Sequence, residues 1–206
     1  QIKLQQTELA QVAQAYGCNP NAPATQVDGL ISRENYGKLA YTYFGIAQPI
    51  ENKLNKAYTC YNHVVCSSVN KAVDPAIVLS LWLAHSGGGN GELTNNSYSE
   101  FGVKTDITNQ DFDAQLSSII SQVKSTKCNT VNDPFARLST ILISPTKCDQ
   151  NISNTYYFPA SSLISETNLS PSDHASKISE IWPKISSNPQ PKSSFEIDEI
   201  DCDYTE

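Results

Sequence analysis

The stretch from Asp74 to Gly91 reads Asp-Pro-Ala-Ile-Val-Leu-Ser-Leu-Trp-Leu-Ala-His-Ser-Gly-Gly-Gly-Asn-Gly, and it constrains the fold more than any other part of the chain. Asp74 has the chemistry of an N-cap, because its carboxylate accepts the unpaired amides of a first helical turn. Pro75 suits the first helical position, where no amide hydrogen is needed. Ile77, Leu81 and Ala84 share one stripe of such a helix, and Val78, Trp82 and His85 share the adjacent one. A helix that is apolar around most of its circumference has to be surrounded, so it is expected at the centre of the core. Gly87, Gly88 and Gly89 cannot continue it cheaply and are expected to let the chain open away as a cleft wall, with His85 at the buried-to-exposed end.

Apolar periodicity elsewhere predicts a mainly α fold with long loops, a possible small β element and an extended C-terminal tail. Leu9, Val12, Ala13 and Tyr16 mark an amphipathic helix over residues 5–16 that ends near Gly17. Residues 18–25 read as a loop. The aromatic segment 33–46, with Tyr36, Tyr41, Tyr43 and Phe44, reads equally well as a helix interrupted at Gly37 and Gly45 or as a short strand pair. Further helices are expected from Pro49 through Tyr61, from Asp111 through Val123, from Asp133 through Ile141, and from Asp173 to Trp182. Residues 1–185 then form one helical domain. Residues 186–206, with Pro189, Pro191 and an acidic run from Glu196, form a tail expected to be docked, with Cys202 as its anchor.

Charge narrows the partners. Against 14 basic residues stand 21 acidic ones, a net charge of −7, which disfavours nucleic acid and anionic lipid as default partners. No apolar run is long enough to span a bilayer, so no membrane insertion is expected. The chain begins at Gln1 and contains no methionine, which points to an upstream segment removed in processing, most simply a secretory signal. Its six cysteines, Cys18, Cys60, Cys66, Cys128, Cys148 and Cys202, suggest up to three disulfides formed in an oxidising, extracellular or cell-surface compartment. No Cys-x-x-Cys pair or Cys/His cluster has metal-ligand spacing, and neither metal nor cofactor is expected. Neighbours in sequence make Cys60 with Cys66 and Cys128 with Cys148 the natural first pairings.

Asp74-Pro75-Ala76, then Trp82-Leu83-Ala84-His85-Ser86-Gly87, then Asn95-Asn96 leading to Phe101-Gly102-Val103-Lys104, make residues 70–125 resemble the lysozyme-like superfamily, nearest to bacterial lytic transglycosylases and glucosaminidases. The resemblance implies a mostly helical fold and a groove for an amino-sugar polymer such as peptidoglycan. It also implies a glutamate at the end of the central helix acting as general acid. Here that position holds His85. Glycosidic oxygen is poorly basic, so cleavage needs a raised-pKa carboxylic acid held in a partly apolar site, and a charged imidazole would oppose the developing oxocarbenium ion. Loss of the activity follows, unless Glu92 or Glu100, both in the loop between the motifs, supplies the acid.

Each candidate also has a plainer reading. His85 can simply sit at a helix C-terminus, where the dipole favours a positive imidazole by roughly 0.3 to 1 kcal/mol. As ligand contacts in a retained groove, the candidates are His85, Ser86, Tyr98 and Phe101. Ser86 has no nucleophile elbow around it, and the glycines lie after a helix, where phosphate-binding loops do not. His63 and His174 read as surface residues. Three functions remain open: a non-catalytic binder of cell-wall glycan or structural protein, an active glycan-strand hydrolase or lytic transglycosylase using Glu92 or Glu100, and a subunit of an extracellular filament or surface layer that contacts other copies of itself.

Overall fold

A computed structural model describes residues 2–43, 55–90, 99–102, 111–125, 156–157, 168–169, 171–189 and 202. The chain is mainly helical. In order, the helices are α1 (Ile2–Tyr16), α2 (Arg33–Tyr43), α3 (Lys56–Thr59), α4 (Tyr61–Asn70), α5 (Pro75–Ser86), α6 (Phe112–Ser125) and α7 (Pro171–Ile185). The described strands, β1 (Tyr156–Tyr157) and β2 (Asn168–Leu169), form one antiparallel ladder. The expected helix from Asp133 lies outside the described residues, as does the start expected at Pro49.

Helix α5 is the core. All twelve of its residues are buried, from Pro75 to Ser86. Its N-cap is Asp74, whose carboxylate accepts the Ala76 amide at 3.0 Å, and its C-cap is Gly87 in the left-handed region at φ 59°. Helices α4 and α7 pack directly against it. From α4 come Val64, Val65 and Val69, and from α7 come Ile178, Ile181, Trp182 and Ile185, all buried. The i, i+3, i+4, i+7 spacing of that last set is what makes α7 a helix with one apolar face.

The segment 33–46, ambiguous in sequence, is helical through Tyr43. Tyr36 on α2 is fully buried, stacks near Trp82 with ring centroids 5.9 Å apart, and donates its hydroxyl to the Leu79 carbonyl at 2.7 Å. Tyr61 at the start of α4 donates its hydroxyl to the Ile31 carbonyl. Burial pushes both phenols above their usual range, well above it for Tyr36. The neighbouring Tyr61 adds to the Tyr36 shift, and Glu34 adds to that of Tyr61. In the unfolded chain each ionises near pH 10, so the folded state holds these protons more tightly. These two tyrosines therefore leave stability unchanged below pH 10 and reduce it as pH rises above that, by about 1.4 kcal/mol per pH unit for each tyrosine. Urea unfolding at pH 9 and pH 11 reads this directly: the midpoint should fall, and Tyr36→Phe should remove about half of the fall. An unchanged pH slope in that variant would assign the alkaline loss elsewhere.

Among the described residues, two disulfides staple the fold. Cys18, just after α1, bonds to Cys60, and Cys66 on α4 bonds to Cys202. The expected Cys60–Cys66 pair is thus corrected, for a geometric reason. Cys60 is the N-cap of α4 and Cys66 lies within it; residues six apart on a helix are separated by about 9 Å along the axis and face different ways, beyond what a disulfide spans. Cys128 and Cys148 lie outside the described residues. The tail is held at Cys202, which is buried and whose carbonyl accepts from the Asn70 side chain at 3.3 Å. At the tail's start, Ser187 N–H donates to the Gly29 carbonyl at 2.9 Å and Trp182 Nε1–H to the Asn188 carbonyl at 2.6 Å.

Candidate functional site

The glycines after α5 close on the helix end, where the sequence suggested an open cleft wall. Gly87 and Gly88 donate their amides back to the Leu83 and Trp82 carbonyls at 2.9 and 3.2 Å, and Gly89 donates to Ser86 Oγ at 3.0 Å. Gly88 sits at φ 67°, where a Cβ would lie 2.3 Å from that of Ala57, so α3 approaches the coil as closely as a missing side chain permits. Asn90 ties the coil down. Its Oδ1 accepts the Lys56 amide at 2.7 Å, while its Nδ2 donates to the Gly87 carbonyl at 3.1 Å and to Asn55 Oδ1 at 2.9 Å. Asn55 in turn caps α3 through the Tyr58 amide and donates to the Gly37 carbonyl at 2.8 Å. This amide network links α2, α3 and the coil, with Asn55 fully buried and Asn90 half-buried.

Inside that closure lies the charged centre of the region. Lys56 Nζ and Glu100 Oε2 are 2.7 Å apart, with side chains only 12% and 11% exposed. Trp82 Nε1–H donates to Glu100 Oε1 at 3.4 Å, and the Glu100 amide donates to Gln115 Oε1 on α6 at 2.8 Å. Aromatic rings wall the pair in. Lys56 Nζ stands 4.8 Å from the Phe112 ring centroid and 5.7 Å from that of Tyr16, within cation–π range. Trp82 stacks between Tyr36 and Phe101, with the Phe101 centroid 5.7 Å away and Phe112 tilted at 5.6 Å.

Of the candidates from sequence, His85, Ser86, Glu100 and Phe101 come together at the end of α5, and the first two and Phe101 are at most 1% exposed. His85 faces Gly102, where at φ 85° a Cβ would come within 2.5 Å of the imidazole ring. Ser86 Oγ donates to the Trp82 carbonyl at 3.2 Å and accepts from Gly89, which is a helix-end role. Glu92 and Tyr98 lie outside the described residues. Each Glu100 oxygen accepts from a fixed donor, Oε2 from Lys56 Nζ and Oε1 from Trp82 Nε1–H, so the carboxylate is engaged within the fold.

His63 is a correction. It reads as a surface residue in sequence, yet it is 3% exposed. Its Nδ1 accepts the Asn19 amide at 3.1 Å and its Nε2 meets Asp113 Oδ1 at 2.9 Å, so the ring bridges the turn after α1 to α6. An accepting Nδ1 fixes the Nε2–H tautomer. The side chain of His174 lies outside the described residues. Lys56, Asn55 and Asn90, which build the site, carry no local sequence signal. Their partners lie on other elements, and only the apolar helix end they seal is visible as a pattern.

Among the described residues no group of three or more His, Cys, Asp and Glu side chains is arranged to hold a metal ion, and no helix is long and apolar enough to cross a membrane. No protein family, curated protein or solved structure matches this chain.

Proposed function

We propose that this is a secreted, disulfide-stapled helical protein on a lysozyme-like plan that binds cell-wall glycan without cutting it. The supporting observation is the Lys56–Glu100 pair at the end of α5, 2.7 Å apart and nearly buried. Glycan cleavage requires a proton donor within reach of the scissile oxygen. At this helix end the carboxylate is committed to Lys56 and Trp82, and the position that the resemblance gives to the acid holds His85, packed on Gly102. Two disulfides suit an oxidising compartment, consistent with secretion. A filament-subunit reading would be supported by an ordered tail docked on a neighbouring copy. Cys202 is instead tied to Cys66 of its own chain, which leaves that reading with less support.

Purified peptidoglycan sacculi provide the test. The protein should sediment with them and release no soluble muropeptides. Absence from the pellet would overturn the binding reading, and muropeptides that appear with the wild type and vanish with Glu100→Gln would overturn the non-catalytic one.

A further inference from the structure

Two hollows, of about 340 and 420 Å³, meet at Arg33 and Asn62. Arg33, half-buried, is held rigidly: its Nε donates to the Tyr58 carbonyl at 2.8 Å, its Nη2 reaches the Thr59 carbonyl at 3.5 Å, and its guanidinium lies 4.2 Å over the Tyr58 ring. That leaves the Nη1 edge of the fork without an acceptor among the described residues, and Arg33 makes no ion pair with any of them. Asn62 is also half-buried, and its side-chain amide makes no hydrogen bond to any described residue.

We propose that the paired hollows around Arg33 and Asn62 bind a sugar unit bearing one carboxylate. Among the described residues the smaller hollow carries a single charge in its lining, that of Arg33, and its other polar side chains include Asn19, Asn21 and Asn62. A guanidinium edge matches a carboxylate with two parallel hydrogen bonds, which a point charge cannot do. Amides both donate and accept, as sugar hydroxyls require. Leu9 and Ala10, both half-buried, supply an apolar patch for the C–H face of a ring. The larger hollow is lined by Asp28 and Glu34, both exposed, which repel a second carboxylate and leave that side to hydroxyls. The rim is pinned before any ligand arrives: Cys18–Cys60 fastens the turn, His63 holds the Asn19 amide, and Asn19 Oδ1 accepts the Asn21 amide at 2.9 Å. Such preorganisation lowers the cost of binding.

The inference deepens the glycan reading and rests on it for the source of such a sugar, and the experiment separates the two. Calorimetric titration of the whole chain with glucuronate, glucose and acetate should show glucuronate at least tenfold tighter than either of the others. Asn62→Asp places a like charge against the ligand and should weaken glucuronate at least tenfold without lowering the melting temperature. Arg33→Lys keeps the charge, loses the fork, and should do the same; if that variant fails to fold, Asn62→Asp carries the test alone. Equal affinity for glucose would overturn the carboxylate, equal affinity for acetate the sugar, and no glucuronate binding or an unaffected Asn62→Asp the whole site. Sacculi that sediment wild type and Asn62→Asp alike would remove this site and leave the glycan reading; glucuronate binding without sedimentation would do the reverse.

Discussion

Replacing Cys66 and Cys202 together by serine is expected to lower the melting temperature by roughly 10 to 20 °C, the largest effect of any change to a single contact in this fold. The bridge closes a loop with a sequence separation of 136, against 42 for Cys18–Cys60. In the chain-entropy description, loops of these sizes restrict the unfolded state by about 5 and about 4 kcal/mol. The loops follow one another along the sequence without nesting, so the two contributions should be close to additive. Differential scanning calorimetry of the double serine variant, with mass mapping of the wild type under non-reducing conditions, measures the effect. A drop of less than about 2 °C would mean that the unfolded chain is already restricted there.

Lys56→Met should cost about 3 to 5 kcal/mol, because it strands the Glu100 carboxylate in a ring-walled site with only the Trp82 indole and a small solvent-exposed edge to stabilise it. The 11% residual exposure of Glu100 places the effect toward the lower end. Replacing both partners tells more than replacing either. In Lys56→Met/Glu100→Leu no charge remains to be desolvated, so most of the lost stability should return, and the two single changes should be strongly non-additive. Urea unfolding of wild type, both single variants and the double variant closes the cycle. Additive losses would show that the pair is exposed to water in solution and contributes little.

Helix α5 was legible because its signals are local: Asp74, Pro75 and Gly87 act on their own helix, and a helix with no polar face can only be central. The segment around Tyr36 was not, since Gly37 suggested a break. Its real role is spatial, as a Cβ there would lie 3.0 Å from that of Tyr58, so the glycine lets α3 approach α2 without interrupting the helix. The candidate site divides the same way. Glu100 stood out as a carboxylate between two motifs, but its state depends on Lys56, 44 positions away, and on a Trp82 indole. His63 looked exposed because its partners, Asn19 and Asp113, are 44 and 50 positions away. Cysteine pairing failed for a related reason: neighbours in sequence become strangers once the chain between them winds into a helix.

The placement of both described disulfides on α4 has a mechanical consequence. Cys60 and Cys66 belong to the same short helical run, so the covalent path from Cys18 to Cys202 passes through residues 60–66 alone. Tension applied between residues 18 and 202 would run through the two bridges and that one helical stretch, and segments 19–59 and 67–201 would hang from the path without bearing load. With both bridges intact the fully extended span between those two residues is roughly 30 Å, against roughly 600 Å for the same stretch reduced, so the folded mass is slung beside the line of force.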